Sequence, residues 1–278
     1  MSPENKSKAQ RRAEAQQRAA EQRAAEQRKK RTRLGLRYGG IVAVIALVVV
    51  LIVVLTGGSS GTAKVFTDTK GLPLEPIPAS MKASWVQPPA GKNGPEGIPL
   101  TTGPALASLV NGATGQTVDG VQCNTSEKTV SHVHTHLTIF VNGKSRVIPY
   151  GAGIPGFQAV QVTSPPAPAG PGPFVETGTC FYWLHVHSTD GIVHIESPST
   201  TQGFTLGQFF DIWGVPLSST QVGPATGKVT VFFTSPGKSP KLYTGDPRNL
   251  PLGDHYQIQL VVGSPIVAPV HITNWGGL

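Results

Sequence analysis

Signatures of the commonest catalytic machinery are missing from this 278-residue sequence. There is no phosphate-binding glycine loop, no Gly-x-Ser-x-Gly elbow between a strand and a helix, and no His-Glu-x-x-His pair. That excludes the familiar phosphoryl-transfer, serine-hydrolase and zinc-protease arrangements. Sulfur is scarce: the two cysteines are Cys123 and Cys180, and the two methionines are Met1 and Met81. Charge is scarce as well, at 14% of residues, and it is unevenly spread. Residues 1–37 carry twelve Lys and Arg against four Glu, which accounts for the whole formal net charge of +8. Residues 38–278 hold eleven basic and eleven acidic side chains and are formally neutral. A basic chain suggests nucleic acid or a membrane surface as partner. Here that argument reaches only the tail, and no nucleic acid is expected on the remainder.

Directly after the tail, Ile41 to Leu55 has no polar side chain, and residues 38–58 form an uncharged stretch. A helix needs about 20 residues to cross a bilayer core, so 38–58 is predicted to be a single transmembrane helix. A cleaved signal peptide is the rival reading, and Thr56 to Ser60 is small enough for cleavage. Against it stand the long basic region, the lack of an Ala-x-Ala pattern, and the absence of a cysteine that would direct lipoprotein processing. The reading is an uncleaved signal anchor. Seven Lys and Arg lie between Arg23 and Arg37, against two between Gly57 and Lys70. By the positive-inside rule the N-terminus is cytoplasmic and the rest lies outside. The expected address is the plasma membrane, single-pass, with residues 38–58 in the lipid bilayer and the tail 1–37 against anionic lipid.

Residues 59–121 read as a Gly/Pro-rich linker and stalk, with eight prolines between Leu72 and Pro104. Regular structure is expected over 122–278. Thr129 to Val141 is strand-like, Asn142-Gly143 is a type I′ hairpin signal, and Lys144 to Ile148 returns. A second hairpin runs from Cys180 to Glu196. Thr205 and Gln208 have capping-box spacing, and Leu206, Phe209, Phe210 and Trp213 recur at helical intervals before Gly214, so one short helix is predicted there. Strands resume at Lys228–Thr234, near Lys241–Tyr243, at Tyr256–Val262 and at Ile266–Ile272. The expected fold is mainly β, a β-sandwich or small barrel-like domain outside the cytosol. In that compartment two cysteines favour one disulfide, Cys123–Cys180, which would contribute about 4 kcal/mol in the chain-entropy model. A pair of thiolate ligands is the alternative, because each cysteine approaches a histidine cluster.

Six of the eight histidines fall between 132 and 194. His132, His134 and His136 alternate along one strand and so share a face. His185 and His187 repeat the pattern, with His194 and Glu196 on the return strand. A two-residue Asp190-Gly191 loop pairs His187 with His194; a four-residue loop pairs His185 with His194. Either register puts all four of these donors on one face. Seven candidate ligands on two hairpins point to a transition metal, because neutral imidazole suits zinc, copper, iron and nickel. With only two methionines present, Cu(II) or Zn(II) fits better than Cu(I). Asp190 is a candidate ligand or supporting carboxylate, or simply a turn residue. His255 would complete the site if the fold brings it round; His271 is incidental. A metal-free polar network and a pH-sensing cluster are the competing readings.

The runs His132-Val-His-Thr-His-Leu137, Cys180-Phe-Tyr-Trp-Leu-His-Val-His187, Gly191-Ile-Val-His-Ile-Glu196, Phe204-Thr-Leu-Gly-Gln-Phe-Phe-Asp-Ile-Trp213 and Tyr243-Thr-Gly-Asp-Pro-Arg248 resemble a family of uncharacterised, membrane-anchored prokaryotic proteins. The likeness spans roughly residues 122–278 and implies a shared domain without implying a reaction. Three functions follow as expectations. The first is a membrane protein that binds copper or zinc for handling or sensing. The second is a metal-dependent enzyme with Glu196 or Asp190 as base. The third is a metal-free structural or partner-binding module of the envelope.

Overall fold

The structure is a computed structural model that describes residues 69–100 and 102–278, which lie within one compact unit, 63–278. The predicted tail (1–37), the predicted span (38–58) and the first part of the linker lie outside the described residues. Among the described residues no helix is long and apolar enough to cross a membrane.

The fold is mainly β. Eight strands form the largest sheet: β1 (Leu74–Glu75), β2 (Ser131–Val141), β3 (Lys144–Arg146), β4 (Leu184–His185), β5 (Ile192–Ser197), β6 (Val229–Thr234), β7 (Lys241–Tyr243) and β8 (Tyr256–Val262). Their spatial order is β1-β7-β6-β8-β2-β5-β4, with β3 beside the C-terminal end of β2. All pairs are antiparallel except β8 and β2, which run parallel from Tyr256 opposite Thr135 to Val262 opposite Val141. The β2–β3 turn is the expected one. Asn142 and Gly143 take φ of 49° and 74°, and Val141 pairs with Lys144 across a two-residue loop.

Strand alternation gives this sheet two unlike faces. One face carries Val133, Leu137 and Ile139 of β2, Val193 and Ile195 of β5, Phe233 of β6, and Ile258 and Leu260 of β8, all buried in the main core. Helix α2 (Leu206–Trp213) contributes to that core; the shorter α1 (Ala79–Ser84) has no buried residue. α2 has both halves of its Thr205–Gln208 capping box, and Gly214 ends it in the left-handed conformation at φ 74°. An eight-residue helix is marginal alone. It holds here because Leu206, Phe209, Phe210 and Trp213 are buried, each worth roughly 1.5–3 kcal/mol. The opposite face is polar along β2, with His132, His134, His136 and Thr138, and it continues into Gln257 and Gln259 of β8.

Two largely irregular segments pack on the sheet, and both differ from expectation. Residues 266–272 do not form a strand. Pro265 and Pro269 remove backbone donors, and the segment is instead held by side chains: Gln259 donates to the Val267 carbonyl and accepts from Val270 N, while Gln257 donates to the Ile272 carbonyl and accepts from its N–H. The second segment is the described part of 59–121, read from composition as a stalk. It folds back onto the β domain: β1 joins the sheet edge, Val86 bridges Val267, Ala105 bridges Val147, and Ile98, Leu106 and Val121 are buried. Proline-rich composition limits regular structure here to β1 and α1, and it did not prevent burial of the apolar residues between the prolines. Among the described residues the helix, small hairpins and these covers enclose the sheet, and no second large sheet does.

Cys123 and Cys180 form a disulfide, so neither is a thiolate ligand. It joins the two-stranded pairing of Cys123 with Tyr182 and closes a separation of 57 residues. Replacing both with serine is expected to lower unfolding free energy by about 4 kcal/mol. Denaturant titration of the full chain checks this, and an unchanged midpoint would contradict it.

Candidate metal centre

The histidines converge because three strands lie side by side. β5 sits between β2 and β4, so His194 faces His134 on one side and His185 on the other, and Glu196 faces His132. Of the two registers open from sequence, the longer Ser188–Gly191 loop is the one formed. Gly191 takes φ 84°, and a Cβ there would stand 2.5 Å from the Leu137 carbonyl oxygen. Only glycine fits that turn.

Two groups of donors result. His185, His187, His194 and Glu196 are all buried, and their donor atoms lie within 4.8 Å of one another. His132, His134 and His194 form the second group, with His132 exposed. His185 Nδ1 donates to the Tyr182 carbonyl at 2.7 Å, and His187 Nδ1 donates to the Val175 carbonyl at 2.6 Å. A carbonyl only accepts, so both Nδ1 atoms carry hydrogen and both Nε2 atoms bear lone pairs when the rings are neutral. Those Nε2 atoms face each other at 3.0 Å. Two lone pairs at that distance repel unless a cation lies between them. Burial, then neighbouring imidazoles, lowers the pKa of both rings, so a proton is disfavoured as that cation. Ligand nitrogens on a tetrahedral zinc lie about 3.3 Å apart, given bonds near 2.0–2.1 Å.

His194 is the hub. It stacks on His185 at 5.4 Å between ring centres and meets His134 and His187 edge-on at 4.5 and 4.6 Å. Its Nε2 donates to Glu96 Oε1 at 2.5 Å. Burial would lower its pKa, but the Glu96 charge and neighbouring Glu196 prevail and push it up to about 9. Its Nδ1 lies 3.4 Å from Glu196 Oε1 but makes no hydrogen bond, and Glu196 Oε2 is also buried without a partner. Buried polar atoms without hydrogen-bond partners, set among nitrogen and oxygen donors, fit a metal ion as their common partner. Burial would raise the Glu196 carboxyl, yet His132 and His194 hold it well below the carboxylate range. His134 drops to about 3 through burial and the adjacent His194 and His132.

Not every expected residue joins. His136 shares the face, but its Nε2 donates to the Asp190 carbonyl at 3.0 Å, and it belongs to neither group. His255 stacks on Trp275 at 4.4 Å and bonds to the Leu278 carbonyl, away from the cluster. Asp190 is buried behind the site, where Oδ2 accepts from Glu96 N. Burial and the Glu96 charge raise its pKa well above normal.

Two carboxylates were not foreseen. Glu96 sits in the Gly94-Pro95-Glu96-Gly97 turn, closed by Gly97 N donating to Gly94 O at 3.0 Å. Ser188 Oγ donates to its other oxygen at 2.9 Å. Glu127 lies 3.5 Å from His187 Nε2. Proline before the acidic residue signals a turn, but nothing local says where that turn lands. Glu96 itself is held down to about 2: burial opposes this, and the His194 charge and hydrogen bond outweigh it. Glu96→Gln is therefore expected to lower the His194 pKa, since its largest raising contribution disappears. An imidazole NMR titration measures it; an unmoved His194 would break the assignment.

No family model matches the chain, and no curated protein or solved structure matches it either. Fold and site together define a mainly β domain whose buried histidine clusters are able to hold a metal ion.

Proposed function

We propose that this protein binds a transition-metal ion, Cu(II) or Zn(II), through His185, His187, His194 and Glu196, and that it handles or senses that metal outside the cytosol at the plasma membrane. The observation that carries the reading is the 3.0 Å approach of two Nε2 atoms whose partner nitrogens are already committed to backbone carbonyls. Backbone or carboxylate acceptors on the far nitrogen are how metal-binding imidazoles are commonly oriented. Three imidazoles and one carboxylate make a closed four-donor shell, and their burial favours holding an ion over turning over a substrate. The membrane part of the proposal rests on the apolar stretch 38–58 and the basic tail before it.

The test is elemental analysis of the full chain, freshly purified and after reconstitution with Zn(II) or Cu(II). The variant His185→Ala/His187→Ala serves as control. Stoichiometric metal in the parent chain and its loss in the variant are expected. Absence of metal from both preparations of the parent chain would sink the proposal.

A further inference from the structure

Five clustered imidazoles exceed what one four-donor ion needs. With His185, His187, His194 and Glu196 in the inner shell, His132 and His134 remain, their Nε2 atoms 3.1 Å apart on the more exposed side. His132 Nε2 faces both His134 Nε2 and, at 3.0 Å, Glu196 Oε1, and one ring nitrogen, either a donor or an acceptor, cannot satisfy both as hydrogen bonds. Glu196 lies between the two groups. Its Oε1 faces His132 and His194, its Oε2 is buried without a partner, and its side chain is 2% exposed. An ionised carboxylate has about four lone-pair positions and so is able to serve two ions. Charge supports the same arrangement. Glu96, Glu127 and Glu196 border the imidazoles, so three carboxylates are at hand to offset the charge of two dications.

Resting on the inner-site reading above, the geometry points to a two-ion centre. A second divalent transition-metal cation is held by His132 and His134, and Glu196 is shared between the ions, which in such centres stand about 3.5–4 Å apart. The inner ion is enclosed. The outer one meets solvent, because the His132 side chain is 42% exposed. It is therefore the exchangeable ion, the one that a chelator or a metal-carrying partner reaches first.

The experiment uses the full chain in detergent, stripped with chelator and titrated with Zn(II), with bound metal counted after free metal is removed. About two Zn(II) per chain are expected, the second bound about tenfold or more weakly, the scale of effect that supporting partners have on metal affinity. His132→Ala/His134→Ala should retain one. His132→Ala alone, at an exposed position, gives the same reading if the double variant does not fold. Loading with Cu(II) adds a second readout. Two adjacent Cu(II) ions couple magnetically, so the resonance signal falls below the copper content in the parent chain and matches it in the variant. One zinc per parent chain overturns the two-ion centre and leaves the inner site standing. None overturns both. Two in the parent chain and two in the variant overturn the assignment to His132 and His134.

Discussion

Acidification of the metal-free protein below pH 6.5 is expected to cost roughly 3 kcal/mol of stability per pH unit from His134 and His136 alone. Both rings are buried, at 5% and 1% exposure, and both have lowered pKa values, about 3 and about 4. In the unfolded chain each returns to about 6.5. A lowered folded value means that stability is present above the unfolded pKa and is lost as pH falls toward the folded one. In that window the unfolded state binds about two more protons, each worth about 1.4 kcal/mol per pH unit. His185 and His187 are lowered too and add to the loss. His194 acts in the other direction. Its value is raised to about 9, so its contribution is complete below pH 6.5 and fades as pH rises toward 9. Asp190, raised well above its ordinary range by burial and the Glu96 charge, offsets part of the acid loss, and with four lowered imidazoles against it stability should still peak near neutrality. Two pH units of acid would remove an amount comparable to the 5–15 kcal/mol, roughly, of a typical domain. Urea titrations followed by circular dichroism at stepped pH test this. His136→Gln, outside both donor groups, should reduce the slope by about 1.4 kcal/mol per pH unit. A midpoint that stays constant from pH 6.5 to 4.5 would show that these imidazoles are not buried and neutral.

What the sequence made legible is local. Alternation of His132, His134 and His136 with Val133, Thr135 and Leu137 is a two-residue period, and it appears as one polar and one apolar face of β2. The Asn142-Gly143 turn and the Thr205–Gln208 cap are decided within four residues, and both form as read. The disulfide pairing followed from an even count of two. Turn chemistry alone permits two registers for the second hairpin. Contacts beyond the loop choose between them: β5 must also match β2, with His134 opposite His194.

Distant pairings were not legible. Parallel pairing of β8 with β2 joins residues more than a hundred positions apart, and no local pattern encodes it. The same holds for Glu96, which reaches His194 from 98 positions upstream on a turn in a proline-rich cover. Composition marks that segment as irregular, which holds for most of its backbone outside β1 and α1, but it says nothing of whether such a segment packs. The strand expected at 266–272 shows the reverse error. Its apolar residues bury as a strand's would, while Gln257 and Gln259 supply bonds that a neighbouring strand would otherwise have made. His136 is a candidate because it shares the strand face of His132 and His134, and His255 because of its residue type. Geometry gives each a backbone carbonyl instead of a place among the donors.

On the proposed reading, Zn(II) uptake at pH 7 should release about one proton per inner ion, because a ligand must give up its proton before it binds metal. His185 and His187 are already neutral at that pH, their pKa values being lowered by burial. His194 is protonated at pH 7, with a value of about 9, and its proton is the one displaced. Proton release should thus fall toward zero as pH rises past 9. It should also fall at pH 7 in Glu96→Gln, where the group that holds the His194 proton is gone. Calorimetry in two buffers of different ionisation enthalpy separates the proton count from the heat of binding. The same ion stabilises the fold by mass action, about 4 kcal/mol when free zinc is 1,000 times Kd. For a domain of this size that is a rise in Tm on the order of 10 °C. His185→Ala/His187→Ala should show neither effect, since it removes the two nitrogens that face each other at 3.0 Å. Zinc that raises Tm without releasing a proton would place the ion away from His194 and retire this assignment of the site.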